Sequence, residues 1–170
     1  TLQQSLQRLG AANVIRDGRV GWATIHWLSG RFDGRIETVR NGPTIEEMIQ
    51  TNRPDIIIIS LGANDSSFSS ERIRQSVSVA WQKAQIVPSK FWVGPPAGYP
   101  PSDPRANEKR QNASTIIRGI VGENFIDPYE VTSPNIQGAR RPDGVHFLNS
   151  PEGRQIIEAW VNLVLSRGRT

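Results

Sequence analysis

Apolar residues along the chain fall into two kinds of run, and their spacing predicts helices alternating with strands. Leu2, Leu6 and Leu9 stand at helical spacing with Gly10 placed to end the helix, and 11–15 reads as a short strand leading to Asp17-Gly18. After a Gly-rich loop, 45–49 predicts a short helix. Asn52-Arg53-Pro54 breaks it ahead of a buried strand over 55–60 that holds four consecutive isoleucines. Residues 70–86 put Ile73, Val77, Ala80 and Trp81 on one helical face, with Ser70 as the cap. A second buried strand, Phe91-Trp92-Val93, ends at Gly94-Pro95-Pro96, and 98–104 is Pro-rich loop. The 106–121 segment carries Ile116, Ile117 and Ile120 at helical spacing, and Asn124-Phe125-Ile126 is a third short strand. Pro151 opens a last helix whose apolar face is Ile156, Ile157, Trp160, Val161, Val164 and Leu165.

Helices and strands alternating at these lengths predict a three-layer α/β/α domain with a mainly parallel sheet. The 170 residues suit a single domain spanning 1–170, with no repeat and no linker. In such sheets ligands meet the loops beyond the C-terminal ends of the strands.

Composition narrows the chemistry. With no Cys there is no disulfide framework, thiolate metal site or Cys nucleophile, and two His are too few for an all-imidazole zinc site, so neither metal nor cofactor is expected. The longest aliphatic run, 56–59, is far short of the ~18–20 apolar residues of a membrane span. Net charge is +4, from 17 Arg and three Lys against 16 acidic residues. The excess is dispersed, with clusters no longer than Arg140-Arg141, so nucleic-acid binding is weakly supported. The compartment stays open, with secretion or the cell envelope favoured over the cytoplasm, because lacking disulfides does not exclude export.

Three loops carry residue types that acyl chemistry uses. In Gly18-Arg19-Val20-Gly21-Trp22-Ala23-Thr24, a glycine can bring its backbone N–H close to a developing oxyanion, although a tight turn explains the same residues. In Gly62-Ala63-Asn64-Asp65, the Asn amide is an oxyanion donor type, with turn or capping roles for Asn64 and Asp65 as the alternative and capping of the following backbone preferred for Asp65. In Asp143-Gly144-Val145-His146, the carboxylate can hold one imidazole nitrogen and leave the other free as a base. His26 lies among Ile25, Trp27 and Leu28 and reads as a packing or surface histidine.

The order of these three loops resembles the SGNH (GDSL-like) hydrolases. Gly21 matches the family's oxyanion glycine, Gly62 to Asp65 its Gly-x-Asn-Asp block, and Asp143 to His146 its Asp-x-x-His block ahead of the last helix; Gly94-Pro95-Pro96 also looks like many members. The resemblance implies a flavodoxin-like sheet and a serine esterase working through an acyl-enzyme without a metal. Gly21 N–H and the Asn64 side chain would be oxyanion-hole donors, His146 the general base and Asp143 its orienting partner. Small acyl esters, O-acetylated glycans among them, are the implied substrates, and Trp22 with Tyr99 is a candidate aromatic platform for them. Trp27, Trp81, Trp92 and Trp160 are assigned to the core. An acyltransferase, or a non-catalytic glycan-binding or scaffold module, is the alternative.

One block of the pattern is absent: no Gly-Asp-Ser stands at the end of a first strand, so the chain offers no nucleophile. Ser5 follows Gln3-Gln4 inside a helical pattern, and Ser60, Ser66 and Ser67 belong to the neighbourhood of Asn64. In a 2-1-3-4-5 sheet the first strand is interior. The expectation is therefore that this strand and its serine lie upstream of Thr1 or on a second polypeptide, leaving a vacant place in the sheet.

Overall fold

A computed structural model describes residues 4, 7, 11, 13–19, 21–32, 41–97, 105–132 and 150–167. Its sheet is β1 (Ile56–Ser60), β2 (Ser89–Val93) and β3 (Phe125–Ile126), in the order β1-β2-β3 and parallel throughout. Register sets Ile58 beside Phe91 and Trp92 beside Phe125. Because side chains alternate across a strand, the tetra-isoleucine run feeds two faces at once. Ile57, Ile59 and Trp92 pack with α2 (Ile45–Asn52), α3 (Ser70–Ala84) and α4 (Ala106–Val121), whose contributions include Ile49, Ile73 and Ile117. Ile58, Phe91 and Val93 pack on the other face against Trp160, Leu163 and Val164 of α6 (Pro151–Arg167). The short helices α1 (Thr24–Ser29) and α5 (Tyr129–Thr132) precede α2 and α6 in the chain. These are the three layers that the alternation predicts.

Local chemistry sets the helix ends. Ser69, not Ser70, caps α3 by accepting the Arg72 N–H at 3.3 Å, one position before the one expected. Thr44 and Glu47 form a reciprocal capping box at the start of α2, at 3.1 and 2.7 Å. Gly30 ends α1 in the left-handed region at φ 66°.

Two expectations are corrected. Residues 11 and 13–15 form no strand: Ile15 is 54% exposed, and a segment with Ala and Asn among its few residues becomes a strand only when an edge pairs with it. The 56–59 strand is not uniformly buried, since Ile56 is 51% exposed and only Ile59 lies fully inside. The cause is topological. β1 pairs with β2 on one side, and no described strand lies along its outer edge, the place where the first strand of the expected order belongs. Among the described residues no helix is long and apolar enough to cross a membrane. The 2–10 helix lies mostly outside the described residues, of which Gln4 and Gln7 are helical.

Candidate active site

Of the two described candidate loops, one follows β1 and the other runs into α1. After β1, the backbone turns at Gly62, with φ 126°, into a single 3₁₀ turn at Asp65–Ser67. A Cβ on Gly62 would come within 2.9 Å of both Ile117 and Pro95, so only glycine fits beneath this loop. Asn64 does not spend its amide on capping that turn. It reaches instead across 42 residues, and its Nδ2 donates to the Trp22 carbonyl at 3.0 Å. One of the two Nδ2 hydrogens is thereby used, and the other has no acceptor among the described residues.

Gly21 begins the opposing loop with φ 75°, a left-handed conformation that places its N–H as no other residue type does without strain. The next amides are all committed. Trp22 N–H turns back to the Arg19 carbonyl at 3.4 Å, Ala23 N–H donates to His26 Nδ1 at 2.9 Å, and Thr24 N–H donates to both Asp65 carboxylate oxygens at 3.0 and 3.2 Å. The Gly21 N–H has no partner among the described residues. The loop is thus pinned from Trp22 onward, with one backbone donor left over beside Asn64.

Asp65 therefore has a different task from the expected one. Rather than capping the backbone that follows it, the carboxylate anchors the first amide of α1, and it is 1% exposed. His26 is the packing histidine that the sequence suggested: it is buried among Trp22, Phe32 and Phe68, with an added part in holding Ala23. No local pattern announces either contact.

Trp22 is no ligand platform. Its ring is 1% exposed, lies edge-on to Trp27 at 5.4 Å, and carries the Arg19 guanidinium 4.2 Å above it. Arg19 in turn pairs with Asp17 at 2.6 Å. Trp27, Trp81 and Trp92 are core residues as expected, and Trp160 is half-buried against the α6 face of the sheet. Tyr99, Asp143 and His146 lie outside the described residues, as does Ser5. The serines near Asn64 are poor nucleophile candidates: Ser66 Oγ donates to Ala63 C=O at 2.6 Å and Ser67 Oγ to Asn64 C=O at 2.8 Å, both closing the turn.

Burial pushes the Asp65 carboxyl above its ordinary value, against the pull of its Thr24 hydrogen bonds and of nearby His26. The folded protein therefore keeps this proton to higher pH than the unfolded chain does. The carboxyl's contribution to stability is fullest below the ordinary carboxylate pKa of about 4 and declines as pH rises through the raised native value. Asp65→Asn removes this titration. In thermal melts across pH, the Tm of wild type relative to the variant is expected to fall as pH climbs above about 4; a difference independent of pH contradicts the assignment.

A parallel sheet layered between helices is the fold of the SGNH hydrolases. Solved structures agree. TesA superposes with a TM-score of 0.68 at 18% identity, over 98% of this chain and 86% of its own. A lipase/acylhydrolase from Enterococcus faecalis gives the same TM-score and identity over 99% of this chain and 83% of its own. A peptidoglycan O-acetylesterase matches with a TM-score of 0.54 at 19% identity, over 74% of this chain and 41% of its own. At these identities the likeness shows the fold. No protein-family model and no curated protein matches the chain.

Proposed function

We propose that the protein is a serine acyl hydrolase of SGNH type and that these residues supply its oxyanion hole and its base. The observation that carries this reading is the 3.0 Å bond from Asn64 Nδ2 to the Trp22 carbonyl, which joins two loops 42 residues apart and sets Asn64 against the loop whose Gly21 N–H has no partner among the described residues. Both donors are fixed before substrate arrives, which is what stabilising a developing oxyanion requires. His146 acts as general base and Asp143 holds its tautomer.

In the reaction the serine Oγ attacks the ester carbonyl carbon as His146 takes the serine proton. The carbonyl oxygen becomes the oxyanion between Gly21 and Asn64. The alcohol then leaves with the proton from His146, and water, deprotonated by the same imidazole, releases the acid from the acyl-enzyme. The serine is carried on a strand seated along the outer edge of β1, outside the 170 residues or on a second polypeptide. The lack of any described strand on that edge and the engagement of Ser66 and Ser67 in their own turn support this placement.

Small acyl esters, O-acetylated glycans foremost, are the proposed substrates, in keeping with the peptidoglycan O-acetylesterase among the structural neighbours. The test is labelling of the full natural protein with a fluorophosphonate, followed by mapping of the modified residue. Modification of one serine outside 1–170, with loss of p-nitrophenyl acetate hydrolysis, is expected. Absence of labelling in folded protein points instead to a non-catalytic glycan-binding module.

A further inference from the structure

α4 carries Asn107, Arg110 and Ser114 at positions i, i+3 and i+7, one face of the helix. Arg110 is only 6% exposed and Ser114 only 7%. Among the described residues the buried atoms Arg110 Nη1, Asn107 Oδ1 and Ser114 Oγ have no hydrogen-bond partner, and Arg110 makes no ion pair. Such a group is costly. A guanidinium cannot shed its proton to escape burial, and a buried charge without a counter-charge is strongly destabilising.

What surrounds it would suit an anion. Helical side chains lean toward the N-terminus of their helix, so Arg110 is directed toward the first turn of α4. There Arg105 supplies no side-chain cap, and the amides of Ala106, Asn107 and Glu108 have no partner among the described residues, at the positive end of a 16-residue helix. The exposed Glu108 is the acidic residue in that turn. The cluster also lies on the catalytic side of the sheet. Ser114 Oγ would be 3.3 Å from a Cβ on Gly94, the residue directly after β2, and α4 packs against the turn that begins with Asp65.

We propose that Arg110, with Ser114 and the open first turn of α4, binds an anionic oxygen group, a carboxylate or a phosphate, borne by the substrate. Its place as a substrate anchor rests on the acyl-hydrolase reading; the anion site itself does not. A planar guanidinium meets either group with two parallel hydrogen bonds, and the Ser114 hydroxyl can add a third. The site thus selects esters with a negative charge some distance from the scissile bond.

The experiment needs no turnover. Thermal melts of the full protein are recorded in sodium phosphate and in sodium acetate, at an ionic strength held constant with sodium chloride, for wild type, Arg110→Met and Arg118→Met. Arg118 is exposed and pairs with Asp127, so its variant controls for loss of a positive charge. A ligand at 100 times its Kd should raise Tm by roughly 5–10 °C in a protein of this size. That rise is expected in wild type and Arg118→Met and absent in Arg110→Met. In chloride alone, Arg110→Met should melt no lower than wild type, because it removes an uncompensated buried charge. The stronger anion tells a phosphorylated substrate from a carboxylated one. Arg110→Lys, which keeps the charge without the fork, should show a reduced shift, and it serves if the Met variant does not fold. An anion shift that survives in Arg110→Met, one of undiminished size in Arg110→Lys, or its absence from wild type, overturns the site. So does a lowered Tm of Arg110→Met in chloride, which would mean an internal partner for the guanidinium. Fluorophosphonate labelling is untouched by any of these results, so the anion site and the hydrolase reading fail separately.

Discussion

His146→Ala in the full protein is expected to reduce kcat for p-nitrophenyl acetate by roughly 10⁴–10⁶-fold while leaving the melting transition in place. The size of the loss follows from the two steps proposed for the imidazole in each cycle, taking the serine proton during attack and delivering one to the leaving alcohol. Without it the serine is a neutral hydroxyl with no acceptor in reach, and the donors at Gly21 and Asn64 are left stabilising an oxyanion that rarely forms. Residual activity should come from that hole alone. Fluorophosphonate labelling should slow in parallel, since it relies on the same activated oxygen. Unchanged turnover assigns the base to another residue.

Asn64→Ala is expected to lower kcat by about 10²–10³-fold with little change in KM. The amide meets the carbonyl oxygen most strongly once charge has built up on it, so its removal raises the barrier more than it weakens substrate binding. The same substitution takes away the 3.0 Å bond to the Trp22 carbonyl, worth about 0.5–1.5 kcal/mol of stability in ordinary cases. These effects can be told apart. A purely structural Asn64 lowers Tm and activity modestly together, whereas an oxyanion donor costs far more in kcat than in stability. Parallel kinetics and melts on the one variant decide between them.

The helices were legible because their information is local. The 106–121 periodicity matches α4 residue for residue, and Pro151 begins α6 where proline's fixed φ and missing N–H suit a first turn. β1 and β3 fell within predicted segments, since short apolar runs between breakers leave little else to form, and β2 starts two residues before its predicted one, at Ser89, where pairing with Ile56 carries the strand beyond the apolar run. The 11–15 segment shows the limit of such reasoning: a strand needs an edge, and an edge is a property of the whole sheet.

For the candidate site, motif order singled out the two loops that carry Gly21 and Asn64, and the structure joins them through the bond from Asn64 to the Trp22 carbonyl. Its supports could not be read in this way. Asp65 meets Thr24 from 41 residues away, and nothing near either residue marks the contact. The Thr44/Glu47 capping box did have a local signature, Thr-x-x-Glu, ahead of an apolar run, and was there to be read. Trp22 misled because an aromatic beside a candidate oxyanion loop looks like a binding surface; its burial under Arg19 is visible only in three dimensions.

The central claim is that Gly21 N–H and Asn64 Nδ2 together receive the oxyanion. A crystal structure of the full protein with a phosphonate bound to its serine tests this most directly, because the phosphoryl oxygen stands where the oxyanion would. The expected result is that oxygen within about 2.7–3.1 Å of both donors, with the serine on a strand paired to the outer edge of β1. A phosphoryl oxygen held by other groups, with Gly21 and Asn64 turned away, would contradict it.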